Sequence, residues 1–190
     1  MDFETAKTLC IFISAIGGSI AAITGLLNIF INWKSKRIKI YHEPSSFRRE
    51  TKNNEQTVKI TISFRCYGEE SFNLNKVLFS FFNPSEERCP KPEIISEDGF
   101  EHPPGDIFGY SVNLPANRDV EYILAFKVNY KSTEPLFWIS RQKSRLFLFK
   151  CNPGNLYPEY DYQKDNPYLE EIKDKREYQE IYNQLPKDFY

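Results

Sequence analysis

The fold class this sequence predicts is mainly β: an N-terminal transmembrane helix, then an immunoglobulin-like β-sandwich, then a C-terminal helical tail. Three observations predict it. Thr8 to Trp33 is 26 residues without a charge, enough for a helix of about 39 Å against a hydrocarbon core of about 30 Å. Between residues 37 and 151 the apolar period is two, with no helical period. Beyond Cys151 the chain turns acidic and Tyr-rich, with a partial helical stripe. The divisions are a short outer N-terminus at 1–7, the span at 8–33, a basic juxtamembrane segment and first strand at 34–52, the sandwich at 37–151 and the tail at 152–190.

A cleaved signal peptide is the rival to a membrane span. Its apolar region is usually about 7–15 residues, entered through positive charge and left through small residues. Here "MDFETAK" precedes the run with two acids and one Lys, and "NWKSKRIKI" follows it. The basic excess after the run places the N-terminus outside and the rest of the chain in the cytoplasm, single-pass in the inner (cell) membrane. Trp33, Lys34, Lys36, Arg37 and Lys39 form the interfacial cluster. Ser14, Gly18, Ala21, Gly25, Asn28 and Asn32 are spaced 4-3-4-3-4 and share one helix face. Ile13, Ile16, Ile20, Ile23, Leu27 and Phe30 share a face about 150° away. Small and amide-bearing side chains suit helix–helix contact or a water-lined path, whereas the isoleucine face suits lipid.

In "TVKITISFRCY", Val58, Ile60, Ile62, Phe64 and Cys66 face one way, and Lys59, Thr61, Ser63 and Arg65 the other. "RIKIYH" alternates likewise. "GEES" reads as a turn returning "FNLNKVLFSFF" as a partner strand, with a bulge between Leu74 and Val77. "EII" reads as a short edge strand. "DIFGYSVNL" pairs with "VEYILAFKVNY" across "PANRD", and "LFWIS" with "RLFLFKC" across "RQKS". Seven or eight strands over this length suit a sandwich, with a small barrel as the alternative. In the tail, Asn166 and Pro167 are expected to open a helix near 167–185 that Pro186 ends. Seven of the chain's twelve Tyr lie there, so packing on the sandwich or a neighbour is expected.

The chemistry is sparse. His42 and His102 stand 60 residues apart, and Cys10, Cys66, Cys89 and Cys151 are scattered singly; metal sites and a disulfide framework are not expected, though a Cys66–Cys151 bridge stays open. No nucleotide-binding glycine loop occurs and no cofactor is expected. His102 in "EDGFEHPPGD", near Asp98, Glu101 and Asp106, is the one loop candidate for catalysis, and an ordinary polar loop explains it as well. The net charge of −1 argues against nucleic acid as the main partner. Arg37 and His42 satisfy Arg-x4-His, a spacing used by helical ribonucleases, where Arg stabilises charge on a scissile phosphate and His moves a proton.

One membrane helix, the domain behind it, the chain length and the Arg37–His42 pattern together resemble the small membrane accessory proteins of type VI CRISPR antiviral systems. The layout is equally similar to bacterial membrane proteins carrying an immunoglobulin-like domain. The first resemblance implies an oligomeric pore that strengthens RNA-guided defence from the membrane. The strand-rich domain departs from the helical nuclease fold, so the expectation is a non-enzymatic, self-assembling effector. Its expected partners are membrane lipid and copies of itself, with the sandwich as the candidate surface for a protein partner. The alternatives are a monomeric tether for a protein-binding module, and a ribonuclease using Arg37 and His42.

Overall fold

The computed structural model describes residues 3–35, 38–52, 55–69, 71–85, 88–97, 99–116, 120–134, 139–155 and 169–190. Helix α1 runs Phe3–Ser35. Nine strands follow among the described residues: β1 Lys39–Lys52, β2 Glu55–Tyr67, β3 Phe72–Phe82, β4 Glu93–Ser96, β5 Glu101–His102, β6 Ile107–Pro115, β7 Tyr122–Glu134, β8 Ile139–Cys151 and β9 Leu169–Glu171. A 3-10 turn at Pro153–Asn155 precedes β9, helix α2 spans Lys175–Tyr182, and a second 3-10 turn covers Lys187–Phe189.

The strands form two antiparallel sheets. One has the order β1-β2-β6; the other has β4-β3-β7-β8-β9, with β5 also on β3. Both sheets line one core, because alternate residues of each strand point to the same side. All five residues of the predicted inner face of β2, Val58 to Cys66, are fully buried. Phe64 lies at its centre, with ring centroids 4.8 Å from Phe147, 5.7 Å from Phe108 and 5.9 Å from Phe126. It thereby joins β2 and β6 of one sheet to β7 and β8 of the other.

A second apolar layer lies on the far side of the larger sheet. Ile172, Ile181, Leu185 and Phe189 of the tail cover Leu78, Phe82, Ile123, Ala125 and Leu148. Lys127 of β7 is buried beneath this layer, and its Nζ donates to the carbonyls of Asp188 (3.2 Å) and Tyr190 (2.8 Å). Burial pulls its pKa down, and the neighbouring Asp188 pulls it back up. The tail therefore belongs to the domain.

Four expectations need correction. β3 does not return beside β2: β2 ends at Tyr67 in one sheet, and from Phe72 β3 lies in the other, where it pairs with β4, β5 and β7. β6 pairs with β2 and not with β7. "RQKS" is no turn: it lies inside β8, which pairs with β7 from Tyr122↔Cys151 to Glu134↔Ile139. Residues 136–138 of the expected "LFWIS" strand lie outside the described residues. The tail helix starts at Lys175, because Leu169 to Glu171 join the edge of β8 instead. Its cap is Asp174, whose carboxylate accepts from the backbone N–H groups of Arg176 (2.9 Å) and Glu177 (3.0 Å). Asn166 and Pro167 lie outside the described residues. The register does shift between Leu74 and Lys76, at the expected bulge, and β4 is the expected short edge strand.

Candidate functional site

Ser14–Ile31 of α1 has a mean hydropathy of 1.7, and none of it is buried against the rest of the chain. By length and composition it can cross a membrane. Ser19 and Thr24 donate their hydroxyls to the carbonyls of Ala15 and Ile20, both at 2.8 Å, so each satisfies its hydrogen within the helix. That matters where no water is at hand.

Ser14, Gly18, Ala21, Gly25 and Asn28 are all exposed. A Cβ added at Gly18 or Gly25 would meet, beyond the helix's own adjoining backbone, nothing within 4 Å among the described residues. The same holds at Gly17, which sequence reasoning passed over; the four-residue spacing of Gly17, Ala21 and Gly25 was the signal. A shallow groove lined by Ala15, Ile16, Ser19, Ile20 and Ile23 lies instead on the isoleucine side. The side chains of Asn32, Trp33 and Lys34, and Lys36 and Arg37 entirely, lie outside the described residues. Lys39 is exposed at the start of β1.

The second candidate, His42, lies on extended β1 rather than on a helix. Its imidazole turns toward the core, 4.6 Å from the ring of Phe149, with Nε2 2.9 Å from the Ser45 hydroxyl. Burial first, and nearby Lys173 second, hold its pKa down at about 4. An imidazole so placed stays neutral at neutral pH. The convergence with Arg37 that the ribonuclease reading needs falls partly outside the described residues.

This burial has a stability consequence. The folded pKa lies below the free value of 6.5, so the unfolded chain takes up the proton first. Stability is complete above about pH 6.5 and falls as pH drops toward 4, by about 2–3 kcal/mol. Replacing His42 with Gln keeps a neutral hydrogen-bonding side chain, and denaturant melts between pH 7 and 4 are expected to lose that part of the decline. An unchanged decline would place its origin elsewhere.

His102 is stacked on Phe72 (centroids 5.2 Å apart), and its Nδ1 lies 2.6 Å from Asp106 Oδ2. Its Nε2 is buried without a hydrogen-bond partner among the described residues. Gly105, at φ +81°, makes the turn that brings Asp106 back, donating its N–H to the Cys66 carbonyl at 3.0 Å. Glu101 is bonded by Ser71 instead, and Asp98 lies outside the described residues. Cys66 adjoins this turn, yet burial chiefly, and then Asp106, push its thiol up to about 12. Cys151 is likewise pushed up to about 12, by burial and then Glu121. Neither thiol is ionised near neutral pH, and both are free. Among the described residues no three His, Cys, Asp or Glu side chains gather as metal ligands. Nothing in these arrangements indicates catalytic activity.

No family model and no curated protein matches the chain. An X-ray structure of a Northeast Structural Genomics Consortium target is similar at 9% identity, over 69% of this chain and 98% of that one, with a TM-score of 0.39.

Proposed function

We propose that this is a non-enzymatic, single-pass membrane protein that assembles with copies of itself through α1 and holds its β domain at the cytoplasmic surface. The observation that carries the reading is the uncovered helix. The β domain closes its core without α1, while among the described residues none of Ser14–Ile31 is buried. Lipid or another helix must cover that segment, since exposed apolar area this large is unfavourable in water. Lipid suits the isoleucine side, and small residues on the other side let a second backbone come close.

The domain itself reads as immunoglobulin-like. The orders β1-β2-β6 and β4-β3-β7-β8 correspond to strands A-B-E facing C′-C-F-G. In an assembly, Asn28 and Asn32 would face each other or water. Lys34, Lys36, Arg37 and Lys39 would ring the cytoplasmic mouth and favour anions there. The orientation rests on these same bases. A pore in antiviral defence is the role that the resemblance to the type VI CRISPR accessory proteins adds.

The test is the mass of the detergent-solubilised particle, for the natural sequence and for Gly18→Leu combined with Gly25→Leu. The reading expects several chains per particle, reduced to one by the paired leucines. A monomeric natural protein, or variants that assemble equally well, would overturn self-assembly. Either result would favour a tethered protein-binding module.

A further inference from the structure

Outside α1, six large hydrophobic side chains are exposed among the described residues: Tyr41, Tyr67, Ile94, Phe100, Ile107 and Tyr190. Four of them gather at one end of the β domain. Lys39 pairs with Tyr67, Tyr41 with Arg65, and Arg65 with Ile107, so Tyr41, Tyr67 and Ile107 share the outer face at the start of β1. Phe100 marks the same end of the other sheet: its carbonyl accepts from Leu74 N–H, beside the Phe72↔His102 pair. It is 68% exposed, and Ile107 50%. Tyr41 and Tyr67 meet edge to face at 5.3 Å, so Phe100 and Ile107 are the two of the four whose exposure the strand end itself does not use.

This is also the end where α1 enters. The helix ends at Ser35, and Ile38 is already part of the β core. Three residues of chain reach no farther than about 11 Å. With α1 across a bilayer, this end of the β domain is the one held nearest the membrane surface. Tyr rings, with an apolar body and a polar tip, suit the headgroup layer.

Most of the charged groups on the strands at this end are engaged with neighbours within the domain. Glu43 is paired with Arg65 at 3.0 Å, Asp106 holds His102 at 2.6 Å, and Glu101 is bonded by Ser71. These three carboxylates are engaged, Glu43 by Arg65, while Glu69 beside Tyr67 is exposed and Lys39 supplies a basic charge on the same face.

We infer that Tyr67, Ile107 and Phe100, with Tyr41, form a docking surface that inserts into the interfacial layer of the membrane holding α1. The occupant is phospholipid, engaged by its glycerol and upper acyl region and without need of an anionic headgroup. The surface fixes the tilt of the β domain on the membrane, so that neighbouring domains are presented in one orientation.

The inference rests on α1 being a membrane span, and its test separates the two. Benzoylphenylalanine is placed singly at Tyr67, Phe100, Ile107, Ile94 or Leu27 of the full chain, reconstituted in phosphatidylcholine vesicles. After illumination, lipid adducts are measured by mass. Adducts at positions 67, 100 and 107, several-fold above position 94, are the expected result. Adducts at 27 with none above the level of 94 elsewhere would overturn the docking surface and leave the span standing. No adduct at 27 would remove the span and the inference with it. Adducts at 67, 100 and 107 that join two protein chains, or that need added phosphatidylglycerol, would also overturn it.

Discussion

Phe64→Ala is expected to cost about 3–5 kcal/mol of folding stability. A domain of this size has a total of about 5–15 kcal/mol, so the loss removes a large share of it. The size of the effect follows from position. Phe64 is fully buried and touches rings from three other strands, two of them in the opposite sheet. Its removal leaves a cavity that neither sheet can fill by itself, because each is held by its own ladder. Urea unfolding of the full chain in mild detergent, followed by tyrosine fluorescence, checks this. Ile94→Ala, on the exposed edge strand, is the comparison and is expected to change stability by no more than about 0.5 kcal/mol. Equal midpoints for the two variants would contradict a core centred on Phe64.

Ending the chain after Asn155 is expected to do more. The cut removes Ile172, Ile181, Leu185 and Phe189, which cover the outer side of the larger sheet. Leu78, Phe82, Ile123 and Leu148 would then face water as a contiguous apolar patch, and such patches drive association. Lys127 would lose both of its carbonyl acceptors, although its ammonium would regain water. The expected outcome is loss of the cooperative urea transition and aggregation of the β domain. Substituting Ile181 and Phe189 by Ala, about 2–5 kcal/mol each, gives a milder form of the same test. A truncated chain that unfolds at the natural midpoint would make the tail a solvated appendage.

The strands themselves were legible in the sequence, and their pairing was not. β2 alternates strictly, which marks a strand with one wet face. β3, β7 and β8 carry apolar residues on both faces: Val77 to Phe79 are buried in succession, as are Ile123 to Phe126 and Phe147 to Phe149. Such apolar runs need cover on both sides, and that need alone distinguishes these strands from β2. The assumption that sequence neighbours pair concealed it, since β2 to β3 and β6 to β7 are crossings between sheets. "RQKS" was misplaced because its residues stand where β8 runs past its core, so polarity was mistaken for a turn. The tail helix was misplaced because a strand edge at Leu169 competes with helix formation, and a cap at Asp174 is a weaker local signal than Pro167. On α1 the small-residue face was legible from spacing alone. The strand-end surface of Tyr67, Ile107 and Phe100 was hidden, because it joins residues far apart in sequence that only the register brings level.

The claim beneath all of this is that α1 stays in a bilayer as part of the mature chain. Alkaline carbonate extraction of expressing membranes, followed by the intact mass of the pelleted protein, tests it most directly. The account predicts a pelleted species of no less than the 22.4 kDa of this sequence. A soluble species lighter by the apolar segment would contradict it.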